Sequence, residues 1–214
     1  MRSYRQTCAL AKALDVIGDR WSLLIVRELL IRGACRYTDL RNGLPGIATN
    51  LLADRLDDLE EAGVVVREAA PPPIATTLFR LTPRGEELRP VLRAIGRWGS
   101  PLLAEASEDD VFQSHWLALP VTSLLGGAVV EGDPVVIEIR AGDEPLVVET
   151  VGGVVQTRLG RAERPDGVLT AGPRVVLNLL AGKLDLAEAR RQGLTYEGDP
   201  EALRRLQALV PAPA

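Results

Sequence analysis

"LDVIGDRWSLLIVRELLIRGACRYTDLRNGLPGIATNLLADRLDDLEEAGVVVREAAPPPIATTLFRLTPRG", residues 14–85, sets out in order an apolar helix, a short polar helix, a Pro45-Gly46 turn, a second apolar helix and two short strands around a proline run. That order is the winged form of the helix-turn-helix. In this architecture a second helix enters the major groove with its N-terminal residues on base edges, and the hairpin reaches the adjacent backbone or minor groove.

Local signals place the elements. Ala9, Ala13, Leu14 and Ile17 recur at helical spacing, which predicts a first helix over Cys8–Ile17 that Gly18 ends. Asp19 is the expected N-cap of the next helix, Arg20–Ile31, along which Trp21, Leu24, Ile25, Glu28 and Leu29 keep three-four spacing. Gly33 closes it. Tyr37–Arg41 makes a short helix stopped by Asn42-Gly43. The reading helix spans Ala48–Ala62, with Leu52, Leu56 and Leu59 as its apolar stripe. Val64–Arg67 and Thr76–Leu81 are the wing strands, and Pro71-Pro72-Pro73, without N–H groups to donate, must be their loop. Thr82-Pro83 opens a further helix with proline where a lost N–H costs nothing. Leu88, Val91, Leu92, Ile95, Trp98, Leu102 and Leu103 run along it, and Pro90 and Gly99-Ser100-Pro101 should break it. So apolar a helix outside the compact winged core needs a partner, and the same helix of a second copy is the natural one.

Charge separates the two halves. Residues 1–100 carry 15 basic and 12 acidic side chains, a balance of +3, whereas residues 101–214 carry 10 and 17, a balance of −7. Only the front half suits a polyanion. The two cysteines, Cys8 and Cys35, make no disulfide framework, and with one histidine a structural zinc site is not expected. Neither cofactor nor metal is expected. No apolar run reaches the length of a membrane span and the first residues hold no signal-peptide core, so a cytoplasmic protein without membrane contact is expected.

Phosphate contacts need cations, and base readout needs side chains at the groove edge. Arg27, Arg32, Arg36 and Arg41 precede the reading helix as candidate phosphate contacts, Arg36 and Arg41 flanking the supporting helix that carries Thr38, and Thr49, Asn50, Ala53 and Arg55 lie on or near the polar side of the reading helix. Asn pairs bidentately with adenine and the Thr methyl meets a thymine methyl. Arg67, Thr76 and Arg80 belong to the wing. Arg55 has two readings: a phosphate or guanine contact, or an ion pair with Asp54, Asp58 or Glu61 on its own helix.

Cys8–Trp98 resembles the HxlR-type winged-helix regulators, relatives of the MarR-type group. The matching segments are "ALDVIGDRWSLLIVRELL", "RYTDLRNGLPGI", "NLLADRLDDLEEAGVV" and "PPPIATTLFRLTPRG" with a trailing "RWG". The resemblance implies a dimeric bacterial transcription factor on palindromic double-stranded DNA, its first and last helices forming the dimer interface. Leu10, Leu14, Leu88, Leu92, Ile95 and Trp98 are then the interface candidates. Two positions depart from the pattern. Ala48 stands where the family usually has Ser at the reading helix N-cap, which leaves Thr49 to take the cap, and Phe79 stands where the wing usually has Tyr. Cys8 matches the N-terminal cysteine with which several members sense oxidants and electrophiles; the other reading is a small residue buried at the dimer interface. The chemistry would need a lowered thiol pKa.

An acidic segment, "EASEDDV", marks a boundary, giving domains of residues 1–105 and 106–214. Beyond it come an apolar helix with Phe112, Trp116 and Leu119, then strands Val135–Arg140, Leu146–Thr150 and Val154–Leu159 joined by hairpin-type connections. Alternation puts Ile137 and Ile139 on one face and Glu138 and Arg140 on the other. Pro173–Gly182 reads as a helix, and Asp199-Pro200 begins a terminal one through Leu209. Residues 149–209, with "PDGVLTAGP", "LAGKLDLAEAR" and "GLTYEGDPEALRRL", resemble a sterol-carrier-protein-like domain. That resemblance implies a sheet with helices over one face, an α/β sandwich often enclosing an apolar tunnel. Ile137, Val148, Leu169, Leu177 and Leu180 are the inward residues, lining either a cavity for an apolar effector or a filled core.

The expected fold is therefore α+β, a winged helix-turn-helix followed by a sterol-carrier-like domain. The expected function is a homodimeric DNA-binding regulator, a repressor, controlled by an apolar ligand. The alternatives are a Cys8-based redox repressor with a structural rear domain, and a lipid-binding protein that uses the winged module to dimerise. An enzyme is not expected: His115 sits beside Trp116 on an apolar helix with no nucleophile in step, and the carboxylates Asp57, Asp58, Glu60 and Glu61 form a solvated face.

Overall fold

A computed structural model describes residues 3–71, 75–105, 107, 109–126, 128–129, 133–180 and 182–208. The chain divides into two compact units, Met1–Val111 and Phe112–Ala214. The first runs α1 (Ala9–Ile17), α2 (Ser22–Arg32), β1 (Cys35–Arg36), α3 (Tyr37–Gly43), α4 (Thr49–Glu61), β2 (Val65–Ala69), β3 (Thr77–Leu81), α5 (Pro83–Glu86), α6 (Arg89–Gly99) and a 3-10 segment, Ser100–Glu105. Its sheet is antiparallel in the order β1-β3-β2, with Arg67 opposite Phe79 and Cys35 opposite Phe79 on the other side. Ile25, Leu29, Leu40, Leu44, Leu52, Leu56 and Leu59 are fully buried between the helices, and Val65, Phe79 and Leu81 close the core from the sheet.

Punctuation follows the chemistry of the residues. Gly33 and Gly63 adopt φ of 74° and 70°, the left-handed geometry that ends α2 and leads out of α4. Thr82 caps α5, its Oγ1 accepting from the Gly85 N–H at 3.1 Å. The apolar helix after the wing breaks at residues 87–88, not at Pro90, which occupies the first turn of α6, where proline is tolerated. One expectation is corrected here: Asp19 does not cap α2. That helix starts at Ser22 after Trp21, with no side-chain cap, because the Asp19 carboxylate is engaged by Arg55. Another is that Cys8 precedes α1 as its N-cap residue instead of forming its first turn.

The second unit begins with a 3-10 turn, Ser114–Leu117, and α7 (Ala118–Leu125). It continues through β4 (Val136–Arg140), β5 (Leu146–Val151), β6 (Val154–Leu159), β7 (Gly167–Thr170), α8 (Pro173–Leu180), α9 (Leu186–Arg191), β8 (Thr195–Gly198) and α10 (Pro200–Ala208). The five-stranded sheet has the order β6-β5-β4-β7-β8, and only β4–β7 is parallel. Gly152 and Gly153, at φ of 58° and 78°, make the two-residue turn between β5 and β6. Helix α7 packs on β6, and α10 on β4 and β7. Ile137, Ile139, Val148 and Leu169 are buried as expected for one face, and Leu146, opposite Ile139, is buried with them. Glu138, on the other face as the alternation places it, is nevertheless buried at 1% exposure, and the loop after β6 reaches it through Ala162. Its carboxylate accepts from Arg140 Nε at 2.7 Å and the Ala162 N–H at 2.9 Å. Burial pushes this carboxyl up, but those donors outweigh it and hold the group below the ordinary carboxylate range.

Candidate nucleic-acid interface

The N-terminal turn of α4 is open. Ala48 precedes it in extended geometry (φ −72°, ψ 143°) and supplies no side-chain cap. Thr49 is the first helical residue and does not serve as the cap, so the threonine hydroxyl and the Asn50 amide are both exposed and available. The Tyr37 hydroxyl donates to the Thr49 carbonyl at 2.5 Å and so ties α3 to the start of α4. Leu52, Leu56 and Leu59 bury the other side of the helix, which fixes the polar edge outward. Such an end presents free N–H groups and the positive pole of the helix dipole, both suited to phosphate.

Helix α3 brings the flanking cations. Arg36 and Arg41 are exposed, as is Thr38 between them. Asp39 accepts from the Arg36 backbone N–H at 3.0 Å and makes no ion pair with that guanidinium. The position of α3 is set from below by Glu28 of α2, whose side chain has no exposure. Its Oε1 accepts from Arg27 at 2.8 Å, Arg32 stands 3.7 Å from Oε2, and Arg27 reaches the Gly43 carbonyl at 3.5 Å. Burial lowers the Arg27 guanidinium pKa, and the charge of Glu28 partly restores it. Glu28 was legible only as one more member of an apolar stripe; a carboxylate at three-four spacing among Ile25 and Leu29 was the signal of a buried charge.

Other candidates sit in a different environment. Arg55 pairs with Asp19 and, at 2.9 Å, with Asp58, and its side chain is 20% exposed. The ion-pair reading of Arg55 therefore describes this conformation, with a partner in the α1–α2 connection that sequence distance concealed. Arg67 pairs with Asp57 and, at 2.8 Å, Glu60 of α4, and its guanidinium lies 5.3 Å from the Phe79 ring centre. Arg80 pairs with Glu68 on the neighbouring strand; the Arg80 hydrogen bond holds the Glu68 carboxyl below its ordinary pKa. Ala53 and Thr76 are half-buried, and residues 72–74 of the wing loop lie outside the described residues.

The proposed interface residues divide. Leu10 and Leu14 of α1 and Ile95 and Trp98 of α6 are exposed, Trp98 at 78%, and Val91, Leu102 and Leu103 join them. Leu88 is half-buried. Leu92 is corrected to the core of its own unit: it turns inward at 7% exposure, on the side of α6 that packs on α2. Cys8 is exposed. Its thiol makes no capping hydrogen bond, but the N–H groups of Ala11 and Leu10 face it and lower its pKa. Cys35 is buried, and burial pushes its thiol up to about 12.

Residues 16–107 match the family model for the HxlR-like helix-turn-helix. The HTH-type transcriptional regulator sll1512 of Synechocystis sp. is 36% identical over 100 residues, covering 47% of this chain and 73% of its own. The chain belongs to the HxlR-like helix-turn-helix family. YvaP of Bacillus subtilis, also an HTH-type transcriptional regulator, is 36% identical over 89 residues, or 42% of this chain and 82% of its own. Among solved structures, PA1607 shares 35% identity over 65% of this chain and 87% of its own, with a TM-score of 0.45. This HxlR-type chain is a transcriptional regulator, with a winged helix-turn-helix in its first unit and a mixed α/β second unit. No described helix is long and apolar enough to cross a membrane.

Proposed function

We propose that this regulator binds palindromic double-stranded DNA as a homodimer and represses by occupying the operator. The observation that carries the reading is the uncapped, exposed start of α4, Thr49 and Asn50, beside the exposed Arg36 and Arg41. Two such helices, about 34 Å apart in a twofold pair, read successive major grooves on one face of the duplex. The apolar residues Leu10, Leu14, Ile95 and Trp98 are the surface that a second copy covers. Sequencing of DNA recovered with the protein, followed by gel-shift titration on the recovered site, tests it. A shared inverted repeat whose binding is lost in Asn50→Ala is the expected result; recovery of no common sequence overturns the reading.

A specific observation favours control through Cys8. An exposed thiol with a lowered pKa, at the N-terminus of a nine-residue helix, is the kind that oxidants and electrophiles attack. Oxidant-driven release of DNA that persists in Cys8→Ser would overturn this second arm. The sterol-carrier resemblance of residues 149–209 calls for an apolar effector, with Ile137, Val148, Leu169, Leu177 and Leu180 inward. Ile137, Val148 and Leu169 are buried, Leu177 is half-buried, and the Leu180 side chain lies outside the described residues. A recess on Ile137 and Val148, with Val135, Val155 and Leu206, has about 10 Å³ of space, room for about one water. That favours the packing role for this unit in the conformation seen, since pockets for small molecules span about 300–1,000 Å³.

A further inference from the structure

Four arginines on the DNA-facing elements, Arg36, Arg41, Arg55 and Arg67, do not stand in equivalent surroundings. Arg55 reaches from α4 to Asp19 in the α1–α2 connection and to Asp58 one turn along. Arg67 reaches from the wing to Asp57 and Glu60 of α4 while lying over Phe79. Each is held by two carboxylates, and each bridges two segments, Arg55 through Asp19 and Arg67 through both of its partners. Arg36 and Arg41 are exposed and have no carboxylate partner among the described residues. We infer that phosphate neutralisation falls to Arg36 and Arg41, whereas Arg55 and Arg67 are positioning residues: Arg55 fastens the reading helix to the α1–α2 connection, and Arg67 sets the wing against the reading helix. The inference rests on the DNA-binding reading above and says which cations of that site meet the polyanion.

The electrostatic argument is an exchange. A guanidinium that leaves two carboxylates for one phosphate trades charge-assisted hydrogen bonds of similar strength. It also strands two negative groups beside the DNA backbone, where like charges repel. Arg36 and Arg41 face no such loss. For them a phosphate is a first partner, and the gain includes the counterions released from the duplex. The acidic row Asp57, Asp58 and Glu60 on the later turns of α4 completes the division. Arg67 and Arg55 offset part of the charge of the row; without them its repulsion of the backbone next to the groove-reading end would be stronger.

Salt dependence separates the two roles, because each phosphate contact adds about one to the slope of log affinity against log salt. The full chain is titrated with a short duplex of random sequence, followed by fluorescence anisotropy across about 50 to 200 mM salt. Arg36→Gln and Arg41→Gln should each flatten the slope by about one per protomer. Arg67→Gln and Arg55→Gln should lower the melting temperature and leave the slope as in the wild type. The double variant Asp57→Asn, Glu60→Gln frees Arg67 and should steepen the slope by about one. Flattening in Arg67→Gln equal to that in Arg36→Gln, or an unchanged slope in the double variant, overturns the inference while DNA binding stands. A wild-type chain that binds no duplex at low salt overturns both.

Discussion

A carboxylate oxygen of Glu28 occupies the space beside the Gly43 Cα: a Cβ on Gly43 would stand 2.3 Å from Glu28 Oε2. The glycine at the end of α3 is thus required for close approach and not for its φ. Arg27 and Arg32 hold the carboxylate, so swinging it aside breaks its contacts with two half-buried cations. Gly43→Ala should cost about 1–3 kcal/mol, the range for a disrupted buried polar group. Glu28→Ala should cost more, about 3–5 kcal/mol, since it breaks a buried ion pair from one side. Urea unfolding of both variants checks the order; an unaffected Gly43→Ala would show that the pair yields.

The open N-terminus of α4 is a stability defect that one hydroxyl repairs. Ala48 already has the extended backbone of a capping residue, so Ala48→Ser needs no rearrangement to accept a free N–H of the first turn. A gain of about 0.5–1 kcal/mol is expected in chemical denaturation. A neutral result would mean that a group outside the chain's described contacts already satisfies those donors.

Most of the front unit was legible because its signals are local. The three-four stripe of Leu52, Leu56 and Leu59, the glycines after α2 and α4, and Thr82-Pro83 each act within a few residues, and each marks the element the structure has. Asp19 failed as a cap for the opposite reason: its partner, Arg55, is 36 residues away. In the rear unit the hairpin strands β4, β5 and β6 alternate visibly. Strands β7 and β8 escaped element-by-element reading, since four-residue strands such as Gly167–Thr170 are too short for a period to show. Glu138 shows the limit of alternation: the pattern gave its face correctly, but not the loop at Ala162 that covers that face.

The two thiols should differ sharply in chemistry. The N–H groups of Ala11 and Leu10 lower the Cys8 pKa, whereas burial raises that of Cys35 to about 12. Iodoacetamide followed by mass spectrometry across pH 6 to 9, roughly the range that brackets an ordinary thiol, should label Cys8 in the folded protein with a midpoint below the ordinary value. Cys35 should label only on unfolding. A fold that suppresses ionisation of Cys35 gains stability that is full below the unfolded thiol pKa of about 8.5 and is lost as pH rises toward 12. The stability advantage of the wild type over Cys35→Ala should therefore shrink on the alkaline side; an advantage independent of pH would contradict the assignment.

Trp98 at 78% exposure and Ile95 at 46% carry the predicted association. Two glutamates in their place, Ile95→Glu with Trp98→Glu, should leave the unit folded, because neither side chain belongs to its core. The pair should turn a dimer into a monomer in sedimentation equilibrium and abolish cooperative operator binding. Leu92→Glu is the contrasting control. Leu92 is buried at 7% exposure, and an unpaired carboxylate there should unfold the unit instead of merely separating copies. A monomeric wild type, or a double variant that still dimerises, would remove this face from the interface.

Glu138 ties acid stability to the rear unit. Its carboxylate is held below its ordinary pKa in the fold despite burial, by the Ala162 N–H and Arg140. A depressed folded pKa contributes stability that is present above the unfolded value of about 4.3 and lost as pH falls through the folded one. Glu138→Gln keeps the shape but removes the titration. Below about pH 4 the difference in melting temperature between wild type and Glu138→Gln should narrow, with the wild type the more stable near neutrality. A gap of constant size from neutrality into the acid range would mean that the group titrates alike in the folded and unfolded chain.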